Sequence, residues 1–228
     1  MLTDNAWAGQ PCYILGGGPS LKGFNFGKLA GQNVIAINAA ALKFMDVDTC
    51  KHEPRATVVY VEDKRVLDVE IKGTCWFRVM SSTVWIDRAN GGDGHSWEFI
   101  FHAVEPNLPD LTGWQVIPST GAAWGTSLTG GLVHASNAGV SALNLACVLG
   151  ADPIYGMGLD LKPREDGRTQ HFHDYYPEAW RQPGHVYDRF IADFTRYAPD
   201  AQANGRRVVN LNPDSALTCF PKEAPPWV

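Results

Sequence analysis

Short apolar, β-branched runs recur along the chain, parted by turn residues or by segments with helical spacing. Cys12–Leu15 is apolar throughout and opens into Gly16-Gly17-Gly18, Asn33–Asn38 reads Asn-Val-Ile-Ala-Ile-Asn, and Ala56–Val61 reads Ala-Thr-Val-Val-Tyr-Val. Further strands are predicted over Thr74–Met80, Trp114–Ile117, from Ile154 to Gly156, and over Arg207–Leu211. Runs that stay apolar instead of alternating bury both faces, the mark of a mainly parallel sheet between helices. The fold class expected is therefore α/β: a Rossmann-like sheet with helices on both faces, in one domain over residues 1–228.

Helical spacing predicts helices in three places. Pro19 and Ser20 start one that runs to about Leu29, with Gly31 as its stop. Ser136 caps a second, in which Val140, Leu143 and Cys147 share a face and Gly150 ends the run. The third spans about Val186–Tyr197. Its core side is Val186, Phe190, Phe194 and Tyr197; its wet side is Asp188, Arg189, Asp193 and Arg196. Ser81–Asp110, with its Gly91-Gly92-Asp93-Gly94, reads as a long loop or small insertion, bounded at most by residues 81–120. Leu161–Gly184 is polar, aromatic and proline-bearing, the composition of a lid.

Composition narrows the function classes. With 228 residues and 45% apolar content the chain can bury one sizeable core. The net charge is −5 and no Lys/Arg stripe exists, which argues against a nucleic-acid partner. No apolar run approaches the roughly 20 residues of a transmembrane helix. The first residues carry neither a basic n-region nor an apolar h-region, so the expectation is no signal peptide and a cytoplasmic location. Cys12, Cys50, Cys75, Cys147 and Cys219 are odd in number and lack a CxxC pair, as expected of reduced thiols.

Chemistry concentrates where the first strand turns on glycines. Without Cβ atoms, Gly16, Gly17 and Gly18 let backbone approach a phosphate closely, and a following helix start would present N–H groups to it. Ser20 can cap that helix or bond the anion; a tight turn with no ligand is the alternative. The run fails G-x-G-x-x-G at its last position and lacks the Lys of a P-loop. The second strand ends in Asn38 where a dinucleotide enzyme carries an acidic residue, so a nicotinamide cofactor is not expected.

Leu15-Gly-Gly-Gly-Pro-Ser-Leu-Lys, Ile35-Ala-Ile-Asn38, Ser136-Asn-Ala-Gly-Val-Ser-Ala-Leu-Asn-Leu-Ala-Cys-Val-Leu-Gly-Ala and Ile154-Tyr-Gly-Met-Gly-Leu-Asp160-Leu together resemble one Rossmann-like group. It holds the archaeal-type 6-hydroxymethylpterin diphosphokinases with their unassigned relatives, motility-accessory proteins among them, and the bacterial lipooligosaccharide sialyltransferases. The resemblance covers about residues 12–62 and 134–215. It implies that Gly16, Gly17, Gly18, Ser20, Asn38, Glu62, Asp63, Asn137, Ala138 and Gly139 bind a nucleotide. Asp160 matches the group's strand-end aspartate, and a cap is its alternative role. Asp166-Gly167-Arg168-Thr169 is similar to the diphosphokinase "DGxxH" stretch. His185 stands where sialyltransferases carry a histidine general base, a role suited to an imidazole because it takes and gives protons near neutrality. The sialyltransferase tyrosine after the aspartate is replaced by Lys162.

His171-x-His173-Asp174 adds His171 as a catalytic candidate and invites a metal, since alternate residues of an extended strand share a side. Mg²⁺ held by Asp160 and substrate phosphate fits better than zinc, because Mg²⁺ favours one or two carboxylates plus substrate oxygens. No tightly bound cofactor is otherwise expected. The resemblance implies a transferase of the sialyltransferase type using a nucleotide or nucleotide-sugar donor. Mg²⁺-dependent diphosphate transfer and a nucleotide-binding accessory protein without catalysis stay open beside it. The acceptor and the oligomeric state, a homo-oligomer included, are not legible in the residues.

Overall fold

In a computed structural model of the chain, residues 1–41, 56–61, 65, 70–71, 74–75, 96–103 and 114–226 are described. The core is one 7-stranded sheet in which every pair is parallel. Its strands are β1 (Cys12–Leu15), β2 (Asn33–Ile37), β3 (Ala56–Val61), β6 (Ser96–Ala103), β7 (Gln115–Pro118), β8 (Ile154–Met157) and β9 (Val208–Asn210). A small antiparallel pair, β4 (Glu70–Ile71) and β5 (Thr74–Cys75), stands apart from it. The order β7-β6-β3-β2-β1-β8-β9 means that the chain builds outward from β1 on one side and returns to its other side with β8.

Every residue of β1 and β2 is buried, as the non-alternating runs predict. The period of 2 along a strand then sorts the side chains between two clusters. Ile14, Ile35, Val58 and Tyr60 face one. Tyr13, Leu15, Val34, Val59 and Val61 face the other.

The first cluster is covered by α1 (Ala138–Val148) and α2 (Val186–Ala201). Every α1 residue from Val140 on is buried, which suits a helix apolar all round. Its cap is Asn137, whose Oδ1 accepts from Val140 N at 3.1 Å, and not the expected Ser136. Gly150 ends the run at φ 76°, a conformation glycine adopts without cost. α2 buries Val186, Phe194 and Tyr197 as expected and continues past Tyr197 to Ala201, while Phe190 is half-buried.

Two larger expectations are corrected as well. Residues 19–29 do not form an α-helix: they make two 3₁₀ turns, Pro19–Leu21 and Phe26–Leu29. Gly23 at φ 75° breaks the first, and Asn25 starts the second by accepting from Gly27 N. Leu21, Phe26 and Leu29 nevertheless cover the second cluster. The loop expected over Ser81–Asp110 contains β6, which pairs with β3 from Ala56↔Ser96 to Val61↔Phe101. Its run Ser-Trp-Glu-Phe-Ile-Phe-His-Ala is flanked by glycines and polar residues that mask it in the sequence. Thr74–Met80 begins as β5, and residues 76–80 lie outside the described residues.

Cys12 and Cys147 are buried free thiols, pushed up by loss of solvent, Cys147 to about 11. Among the described residues no helix is long and apolar enough to cross a membrane.

Candidate functional site

In a parallel sheet the crevice for ligands opens beyond the strand C-termini where strand order reverses, here between β1 and β8. A cleft of ≈ 170 Å³ lies there, against roughly 10–15 Å³ for one water. Its floor is Gly16–Pro19 after β1, Ile37 and Asn38 at the end of β2, and Gly158–Leu161 after β8. One wall is the start of α1, Asn137–Gly139; the other is the lid, through Gln170, His171, His173 and Tyr176. Tyr187, Phe190 and Phe194 of α2 complete it, which explains why Phe190 is not core.

The glycine turn is engaged within the protein. Gly16 N donates to Met157 O and Gly18 N to Gly158 O, both at 2.8 Å. Ser20 donates its amide to Asp160 Oδ1 at 3.0 Å and its hydroxyl to Oδ2 at 2.7 Å. A carboxylate of the chain thus sits where the sequence suggests a ligand anion. A Cβ at Gly18 would lie 2.5 Å from Gly158 O and still closer to Asp160 Oδ2. A Cβ at Gly17 would lie 2.8 Å from His171 Nδ1. Glycine is needed at both positions for close approach by β8 and by the lid, whatever else binds.

The lid is fastened at several points. Phe172 N donates to Gly17 O at 2.9 Å, Thr169 N to Gln182 O at 2.9 Å, and Gln170 N to Tyr187 Oη at 3.1 Å. Glu178 lies 2.7 Å from Arg181, 3.5 Å from Arg168 and 3.9 Å from Arg164. Within this frame His171 and His173 stack at 5.3 Å between ring centroids, and the Tyr176 ring meets each edge-on at 4.9 Å. Burial, helped by the Arg181 charge, lowers His171 to about 4. Burial, then the neighbouring His171 and Arg181, lowers His173 to about 3. Both imidazoles are neutral at physiological pH.

The residues singled out in the sequence divide as follows. Gly16, Gly17, Gly18, Asn38, Asn137, Ala138, Gly139, Asp160 and His171 all line the cleft. Ser20 is exposed and reaches the cleft only through Asp160. His185 is exposed at the start of α2, its side chain caps no helix amide, and it does not line the cleft. Glu62 and Asp63 lie outside the described residues. Among the described residues no three His, Cys, Asp or Glu side chains cluster as a metal would require.

Sequence reasoning missed Asn144. This buried residue of α1 accepts from Gly125 N at 3.0 Å and Val133 N at 2.9 Å, and donates to Gly125 O at 2.8 Å. It pins the irregular segment that leads into the α1 wall, and the one signal for it is a polar residue inside an otherwise apolar helix. His173 was noticed only as a metal ligand. It is 5% exposed, and its Nδ1 has no hydrogen-bond partner.

No family model and no curated protein matches the sequence. Solved structures do. The Maf glycosyltransferase from Magnetospirillum magneticum AMB-1 aligns over 98% of this chain with a TM-score of 0.57 at 14% identity. The two share a fold. This chain spans 35% of that protein's length. The sialyltransferase CstII from Campylobacter jejuni, in complex with the substrate analogue cytidine-5′-monophosphate, aligns over 96% of this chain and 86% of its own. Its TM-score is 0.48 at 15% identity.

Proposed function

We propose that this chain is a glycosyltransferase that takes a nucleotide-sugar donor into the cleft between β1 and β8. The observation that carries the reading is the cleft itself: it lies at the reversal of strand order and is lined by residues after β1, at the end of β2 and at the start of α1, three of the places expected to meet a nucleotide. The glycosyltransferase-like fold supports it.

The donor's anionic group has a natural seat at the α1 start. Ala138 and Gly139 belong to the first turn, where amides lack intrahelical acceptors, and Asn137 has spent its Oδ1 on the cap. Asn38 at the end of β2 offers an amide able both to donate and to accept. As an acceptor hydroxyl attacks the donor sugar it must release a proton. His171 and Asp160 are the candidate bases on the cleft wall.

The diphosphate-transfer reading would place Mg²⁺ on Asp160, but both oxygens of that carboxylate already accept from Ser20. Each oxygen keeps a further lone pair, so Ser20 would hold the carboxylate in place and a metal would share it.

The test is nucleotide release and thermal shift across CMP-sialic acid, UDP-sugars, GTP and ATP, each with and without Mg²⁺. Release from a nucleotide sugar, with a rise in melting temperature, is expected. Cleavage of GTP or ATP alone, and only with Mg²⁺, would move the protein to phosphoryl transfer. Stabilisation without release from any donor would make it an accessory protein.

A further inference from the structure

Among the described residues, two that line the cleft each carry a buried nitrogen without a partner: Asn137 Nδ2 at the α1 start and His173 Nδ1 on the lid. The orientation of the Asn137 amide is decided by its cap, because Oδ1 accepts from Val140 N and Nδ2 is therefore a donor. His173 Nδ1 is either N–H or lone pair according to tautomer. A buried polar atom left unpaired costs free energy, and such atoms are rare enough to need a cause.

The surroundings say what chemistry would pair it. His173 stacks on His171 and, at 5.2 Å, on Tyr175, with Phe172 and Tyr176 edge-on. Both imidazoles stay uncharged, and Gln170 and Tyr176, the other described lid residues that line the cleft, carry no positive charge to offer a phosphate. A hydroxyl both donates and accepts, and so satisfies either tautomer of His173 as well as the Asn137 donor. Aromatic rings beside the histidines suit the apolar face of a ribose or sugar ring. The α1 end of the cleft, with helix amides and a fixed donor, suits the anionic part of the same ligand.

We propose that His173 is a specificity-determining residue that receives a hydroxyl of the ligand's ribose or sugar ring through Nδ1. The inference rests on the reading of the cleft as a nucleotide-sugar site and adds which residue reads the polyol.

The test compares wild type with H173F, which keeps the ring stack and removes the nitrogen, and H173N, whose amide reaches about as far as Nδ1. Calorimetry would use CMP, 2′-deoxy-CMP, UMP, CMP-sialic acid, UDP-galactose and free cytidine. H173F is expected to weaken the best-bound of these about 10-fold or more, the effect of removing one partner from a desolvated polar contact. H173N should restore affinity to within about 3-fold. H173F should also melt no lower than wild type, since exchanging an unpaired polar ring for an apolar one of like shape is neutral or stabilising. Equal losses for CMP and its sugar conjugate, absent for 2′-deoxy-CMP, assign the hydroxyl to ribose; a loss confined to the conjugates assigns it to the sugar.

Unchanged affinity in H173F overturns the inference and leaves the donor reading standing. Weakened binding of cytidine or CMP by a protein that releases nucleotide from no donor overturns the transfer reading and keeps the inference. Binding of none of these probes by wild type overturns both. Should H173F fold poorly, the H173N comparison alone decides: a 10-fold loss in H173N removes the hydroxyl role.

Discussion

On the β1 side of the cleft the amides of Gly16, Gly18 and Ser20 all end on oxygens of the protein, and Asp160 occupies the place of an anion. On the lid side His173 Nδ1 is buried without a partner, beside the stacked His171 ring and the Tyr176 edge. The first wall carries the pattern that reads as a ligand site in the sequence, yet these three amides are spent on holding β1, the segment after β8 and the 3₁₀ turn together. The second reads as a lid with candidate ligands in His171 and His173, and it keeps polar capacity in reserve. Satisfied groups build a rigid floor, whereas unsatisfied ones mark where a ligand contributes.

The contrast can be broken first where the satisfied side is anchored. Asn144→Leu leaves Gly125 N, Gly125 O and Val133 N unpaired in the core. At about 1–3 kcal/mol for each orphan, less what relaxation recovers, we expect a loss of about 4 kcal/mol in chemical denaturation. A loss under about 1 kcal/mol would show that the α1 approach does not depend on this amide.

The lid side is tested by pH. In the unfolded chain imidazole takes its proton near pH 6.5, but in the fold His171 does so only near 4 and His173 near 3. The unfolded chain therefore binds more protons through that window, and stability falls as pH falls from about 6.5 to 4. His173→Phe removes one contribution. The variant should gain on wild type as the solution is acidified, by on the order of 3 kcal/mol at the acid end, and titration of both proteins by denaturant at several pH values measures it. A constant difference from pH 8 to pH 4 would mean His173 titrates normally and is not desolvated.

A smaller effect is expected from Asp160→Ala, which strips the acceptor from Ser20 N and Oγ and should cost about 2 kcal/mol. Asp160→Asn keeps one acceptor and should cost less. If both variants were as stable as wild type, the Ser20 bonds would contribute nothing to holding the turn. Gly17→Ala comes next. Its Cβ meets the His171 ring, so about 1 kcal/mol of stability and part of the lid's closure should be lost, read as faster proteolysis within residues 161–184. The smallest change belongs to His185→Ala, which should stay within about 0.5 kcal/mol and leave donor affinity unaltered, as for an exposed residue away from the cleft. A large loss of turnover in that variant would require α2 to bring His185 to the cleft during reaction.

The parallel sheet was legible in the chain because strands buried on both faces have no polar positions, and β1, β2 and β3 show none between Tyr13 and Leu15, Val34 and Ile37, or Val58 and Val61. α1 and α2 were legible through length and apolar spacing. The family resemblance named Asn38, Asn137 and Asp160, and all three line the cleft; Asn38 and Asp160 follow strands, and in a parallel sheet every strand delivers its C-terminus to one edge. Local pattern did not decide what those residues do there. Whether the Ser20 amide is free depends on Asp160, 140 residues away in sequence. Whether an imidazole is neutral, paired or orphaned depends on burial by the folded lid, and whether His185 enters the cleft depends on where α2 docks. Hydrogen bonds and desolvation are made between distant segments, so only the assembled tertiary structure set them.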